Sequence, residues 1–105
     1  AGRAARGKVT AVVAMCRDKD TADVLRILGT AVSAMIFTGV RNPRAMSASD
    51  LAGEAPPGVA GAVEPDPSRA LDAARALAGP DGLVIVTGSL YLVGEMYRIL
   101  GVEPG

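Results

Sequence analysis

Three short segments of the chain hold residues whose types and spacing could do chemistry. Arg17-Asp18-Lys19-Asp20 sets a lysine between two aspartates directly after the apolar run of residues 9–15. If that run is a strand and a helix follows, Lys19 offers a cation to a carboxylate. The free N–H groups of the helix start would favour the same anion. Arg41, Asn42, Pro43 and Arg44 form a second segment. The planar fork of an arginine suits a carboxylate or a phosphate, because it donates to two oxygens at once. The third segment is Gly88-Ser89-Leu90-Tyr91. Gly88 permits a tight strand-to-helix turn or the close approach of a ligand. The Ser89 hydroxyl and nearby backbone N–H groups could hold an anion there, and Tyr91 adds a hydroxyl at the same mouth. Each segment also has a plain structural reading. Asp20 and Ser89 would then cap helices, Arg44 would sit in a solvated loop, and Tyr91 would pack on the surface.

Other chemistries are excluded by what the chain lacks. It has no histidine and one cysteine, Cys16, so it can form neither an internal disulfide nor a Cys/His metal site. Lone cysteine usage fits a reducing cytoplasm. Cys16, at the end of an apolar run, reads as a small buried hydrophobe. No phosphate-binding Gly-x-x-x-x-Gly-Lys-Ser/Thr loop and no dinucleotide fingerprint occurs. Ser89 is not a nucleophile elbow, which needs Gly-x-Ser-x-Gly and a histidine partner. Eleven basic and eleven acidic residues cancel, and only three residues are aromatic. That balance argues against nucleic acid as a partner. The apolar runs are far too short to span a membrane.

The elements that must position these residues are legible from pattern. The 105 residues suffice for one small domain. Residues 9–15 form a nearly continuous apolar run, as a strand buried on both faces does. Asp20 is placed to cap a helix in which Val24, Leu25 and Leu28 share a face before Gly29 stops it. Residues 32–37 are a second strand candidate, and residues 38–46 read as a loop punctuated by Gly39 and Pro43. Ser47 with Asp50 resembles a capping box for a short helix. Residues 59–63 make a weak strand. Asp66 followed by Pro67 is a strong helix start, with Leu71, Ala74 and Ala78 on one face. Gly79-Pro80-Asp81-Gly82 breaks that helix. Residues 83–87 are the clearest strand, and residues 90–100 read as a helix ended by Gly101. Strands alternating with helices predict an α/β fold of Rossmann-like type, a mostly parallel sheet with helices on both faces. Ligands of such sheets bind beyond the carboxyl ends of the strands, where all three segments fall.

Taken in order, these segments resemble the folylpolyglutamate synthase / dihydrofolate synthase family of the Mur ligase superfamily. Thr87-Gly88-Ser89-Leu90-Tyr91-Leu92-Val93-Gly94-Glu95 is similar to that family's signature near its C-terminus. The run ending in Asp18-Lys19-Asp20 is similar to its earlier strand and Asp-Lys-Asp loop. Asn42-Pro43-Arg44-Ala45 resembles its Pro-Arg-Ala loop before a short helix. The resemblance implies a C-terminal domain of Mur ligase type. The family joins L-glutamate to a pteroate or folate carboxylate, using ATP and Mg2+ bound largely by a separate N-terminal ATPase domain. ATP phosphorylates the carboxylate, and the glutamate amine attacks the acyl phosphate. The C-terminal domain helps to bind glutamate and closes over the nucleotide. By that analogy Lys19, Ser89 and Tyr91 line the glutamate site, with Arg44 on the same rim.

The chain departs from the family at one point. There the domain opens with a strand ending in an Asp-x-x-His-Asn-Pro motif, whereas this chain has no histidine and its only asparagine is Asn42. Residues 1–105 are therefore expected to be a single domain lacking its first strand and helix, inactive alone and binding no ATP or Mg2+ by itself. An uncovered sheet edge would favour self-association. Two other readings stay open at this level. One is a non-catalytic α/β module that binds a small anion or amino acid. The other is a structural or interaction domain that kept the fold and lost the site.

Overall fold

A computed structural model describes residues 9–17, 20–40, 43–87 and 96–101. Its elements are β1 (Val9–Val13), α1 (Thr21–Leu28), β2 (Ala34–Phe37), α2 (Ala48–Ala52), β3 (Ala60–Val63), α3 (Pro67–Ala78) and β4 (Leu83–Thr87), followed by a helical turn over residues 96–100. The four strands form one sheet in the order β3-β2-β1-β4, and every pairing is parallel. This is the expected α/β architecture. The strands are shorter than the apolar runs that announced them. Ala14 and Met15 lie beyond the end of β1 yet stay buried.

Each helix starts and stops for local reasons, with one exception. Ser47 Oγ accepts from the Asp50 amide at 3.0 Å and so caps α2. Asp66 Oδ1 accepts from the Ser68 amide at 3.0 Å, and Pro67 fills the first position of α3. Gly79 ends α3 at φ 76°, ψ 179°, a conformation that side chains disfavour. Asp20 precedes α1 as expected, but its side chain makes no capping hydrogen bond. The expected face of α1 is also narrower than its apolar spacing suggested. Leu25 is fully buried and Leu28 half-buried, whereas Val24 is 40% exposed.

The path of the chain explains why helices cover both faces. It steps outward from β1 to β2 to β3, then returns across the sheet to place β4 on the far side of β1. Parallel crossovers are right-handed, so connections running in opposite directions lie on opposite faces. Accordingly, Leu25 of α1 and Ala48 and Leu51 of α2 pack with Ala11, Val13, Met35 and Phe37 on one face. Ala70, Leu71 and Ala74 of α3, with Met96, pack with Val12, Ala14 and Ile36 on the other. The alternation along β1 and β2 is the period of two that an extended strand imposes.

The inner strands β1 and β2 are buried almost throughout, while β3 is exposed along its length. Strand β4 has the most continuous apolar run, yet it is only partly buried, with Leu83 57% exposed. Its place at a sheet margin, rather than its composition, sets that. Gly61 in β3 has a packing reason. A Cβ there would lie 3.2 Å from the ring of Phe37, which is fully buried and has little room to give.

Candidate functional site

The segments expected from sequence to hold the site follow β1 and β4 in the chain. These strands are neighbours, with Val13 opposite Thr87, and the Ala14 amide donates to the Thr87 carbonyl oxygen at 3.4 Å. The chain leaving β1 goes to α1 on one face, and the helical turn beyond β4 packs Met96 on the other. The carboxyl ends of adjacent parallel strands are the usual ligand position in such folds.

Lys19, Ser89 and Tyr91 lie outside the described residues, as do Asp18, Arg41 and Asn42. Lys19 is bracketed by Arg17 and Asp20, and Ser89 follows Thr87 by two positions. Arg44 is described, and it is exposed. The segment read from sequence as a plain loop is partly ordered around it. Residues Cys16 and Ala45 form an antiparallel bridge. The Arg17 amide donates to the Arg44 carbonyl oxygen at 2.8 Å, and the Met46 amide donates to the Met15 carbonyl oxygen at 2.9 Å. This two-stranded ribbon extends the edge beyond β1 and holds Arg17 and Arg44 on adjoining backbone. Cys16 sits in it half-buried rather than sealed in the core as expected.

Beside the ribbon is an open cleft of about 400 Å³, lined by Arg17, Asp20, Thr21, Ala22, Met46 and Glu54. Thr21 is buried, and its hydroxyl donates to Met46 Sδ at 3.5 Å, which ties the start of α1 to the ribbon. Sequence reasoning missed Arg17 and Glu54 as members of this cleft. Arg17 adjoins the Asp-Lys-Asp segment and could have been weighed with it. Glu54 carries no local signal, because only the return of α2 toward the sheet brings it there. A second cleft, of about 660 Å³, lies by the start of α3 and is lined in part by Gly39, Val40, Asp66, Ser68 and Arg98.

The described residues gather no group of three or more His, Cys, Asp or Glu that could hold a metal. Among the described residues no helix is long and apolar enough to cross a membrane.

Comparison with known proteins gives these features a family. Residues 1–90 match the Mur ligase, glutamate ligase domain. No curated protein matches the chain. Among solved structures, the chain superposes on E. coli FolC in complex with DHPP and ADP with a TM-score of 0.83 and 29% identity, over 91% of this chain and 22% of that one. The ligand-free bifunctional folylpolyglutamate synthase/dihydrofolate synthase from Yersinia pestis gives 0.83 and 33%, over 91% and 23%. The Yersinia pestis enzyme complexed with AMPPNP and Mn ion gives 0.84 and 32%, over 96% and 24%. The chain thus spans less than a quarter of the length of these relatives, as one of their domains. The sequence signature, the parallel sheet and the family match agree, and the chain belongs to the Mur ligase family as a glutamate ligase domain similar to that of the folylpolyglutamate synthase/dihydrofolate synthases.

Proposed function

We propose that this chain is the C-terminal domain of an ATP-dependent ligase that adds L-glutamate to dihydropteroate or folate, and that its part is to bind the incoming glutamate and to close over the nucleotide. The observation that carries the reading is the pairing of β1 with β4. Their parallel neighbourhood sets side by side the ends of the two strands that precede, in sequence, the Asp18-Lys19-Asp20 and Gly88-Ser89 segments. A site there suits an amino acid. Its carboxylates need cationic and hydroxyl donors, which Lys19, Ser89 and Tyr91 supply by residue type, with Arg44 on the rim. One structure similar to this chain was solved with Mn, AMPPNP and L-glutamate bound. It shares 33% identity over 92% of this chain at a TM-score of 0.83, and it lends support to that ligand class.

In this reading ATP, Mg2+ and the folate substrate are held chiefly by the N-terminal ATPase domain, and the ligase works in the cytoplasm. The 105-residue chain alone carries out no ligation. Self-association through its exposed sheet margin belongs to the same proposal. In the full-length ligase, Lys19→Ala and Ser89→Ala are expected to raise the KM for glutamate by roughly 10- to 150-fold. That corresponds to about 1.5–3 kcal/mol for a lost charge-assisted hydrogen bond. The KM for ATP should move far less. Steady-state kinetics with each substrate varied in turn decide it. Unchanged glutamate kinetics in both variants would remove these residues from the site. ADP release by the isolated chain, dependent on folate and glutamate, would overturn the division of labour.

A further inference from the structure

Met46 stands at a junction of three elements. Its amide donates to the Met15 carbonyl oxygen at 2.9 Å and closes the ribbon. Its thioether sulfur accepts from the Thr21 hydroxyl at 3.5 Å, at the first position of α1. It also directly precedes Ser47, the cap of α2, and packs against the core cluster that contains Leu51. An apolar residue just before a helix cap and one four positions into the helix commonly pack together, and Met46 and Leu51 hold those places. One residue thus ties the ribbon, α1 and α2 together. The four methionines also differ in access. Met15, Met35 and Met96 are 2%, 0% and 4% exposed. Met46 is half-buried and lines the open cleft of about 400 Å³. An oxidant must reach the sulfur to react, so the fold shields three methionines and offers the fourth.

From this arrangement we propose that Met46 is an oxidation site, the first methionine of the chain to react with a peroxide, and that its sulfoxide loosens the ribbon and the start of α1. A sulfur lone pair attacks one oxygen of hydrogen peroxide and the O–O bond breaks. The departing hydroxide takes the proton from the new S–OH group and leaves as water. Sulfur loses two electrons, and the peroxide gains them. The product is polar where the thioether was apolar, and it carries an extra oxygen. Its dipole costs free energy against the core cluster, and the oxygen needs space beside Thr21. The three ties that meet at Met46 therefore weaken together.

The test is hydrogen peroxide treatment of the 105-residue chain carrying Cys16→Ser, which removes the only thiol, followed over time by peptide mass spectrometry. In the folded chain Met46 should be oxidised at least about tenfold faster than Met15, Met35 and Met96, and in concentrated urea all four should react within about twofold of one another. The Arg17 amide bonds the Arg44 carbonyl oxygen, and the Val24 amide bonds that of Asp20. With Met46 oxidised, hydrogen exchange at both amides should quicken by about fivefold or more, while the α3 amides keep their rates. Methionine sulfoxide reductases, one for each epimer, should restore the original exchange. Met46→Leu keeps an apolar side chain of similar volume and has no sulfur, so peroxide should leave its exchange pattern unchanged. The proposal is overturned if another methionine reacts as fast as Met46 in the folded chain, or if full oxidation of Met46 leaves Arg17 and Val24 exchange within about twofold. It is overturned as well if Met46→Leu responds to peroxide as its parent does, because the effect then comes from another residue.

Discussion

The Arg17 amide donates to the carbonyl oxygen of Arg44 at 2.8 Å, and this bond joins two segments far apart in sequence into one ribbon at the carboxyl edge of the sheet. The partner bond, from the Met46 amide to Met15, closes the pair around the Cys16 and Ala45 bridge. Met46→Pro removes that second donor. The expected cost is about 1–3 kcal/mol, because the Met15 carbonyl loses its partner next to the core. Hydrogen exchange at the Arg17 amide should quicken by about tenfold or more, while the amides of α3 keep their protection relative to global unfolding. Equal protection at Arg17 in both proteins would show that the two bonds do not act as a unit.

The two aspartates that precede helices should behave differently. Asp66→Ala removes a bond to the Ser68 amide and is expected to cost about 1 kcal/mol in denaturant unfolding. Asp20→Ala removes no capping bond and should cost less than about 0.5 kcal/mol. Equal losses would mean that Asp20 caps α1 in solution.

Thr10 lies on β1 with no accessible surface, and its hydroxyl oxygen has no hydrogen-bond partner among the described residues. A buried hydroxyl without a partner carries its desolvation cost uncompensated. Thr10→Val keeps the branched shape and removes that group, so it should stabilise the chain by about 1 kcal/mol, read as a higher denaturant midpoint at unchanged m-value. A loss of stability would reveal a partner that the Thr10 hydroxyl finds in solution. Thr38, at the end of β2, is buried with the same unpaired hydroxyl and offers an independent repeat.

Much of this protein was legible in its sequence because the deciding interactions are local. The apolar runs at residues 9–15, 32–37, 59–63 and 83–87 each contain a strand. Ser47 and Asp66 cap their helices with amides two or three residues away, and Gly79 ends α3 where a side chain would be strained. Such signals need no knowledge of what packs nearby. Lys19 and Ser89 were singled out from their places after apolar runs, and both lie outside the described residues. Tertiary structure alone decided the rest. The return of the chain across the sheet made β1 and β4 neighbours and left β4 at a margin, so its apolar run is only partly buried. The packing of α1 buries Leu25 but leaves Val24 in solvent, although both fit the helical stripe. The ribbon between Arg17 and Arg44, and the meeting of Arg17 with Glu54 around one cleft, depend on contacts between segments well separated in the chain. Periodicity reports which side of an element is apolar, but not which element will cover it, and that choice is made only when the whole core closes.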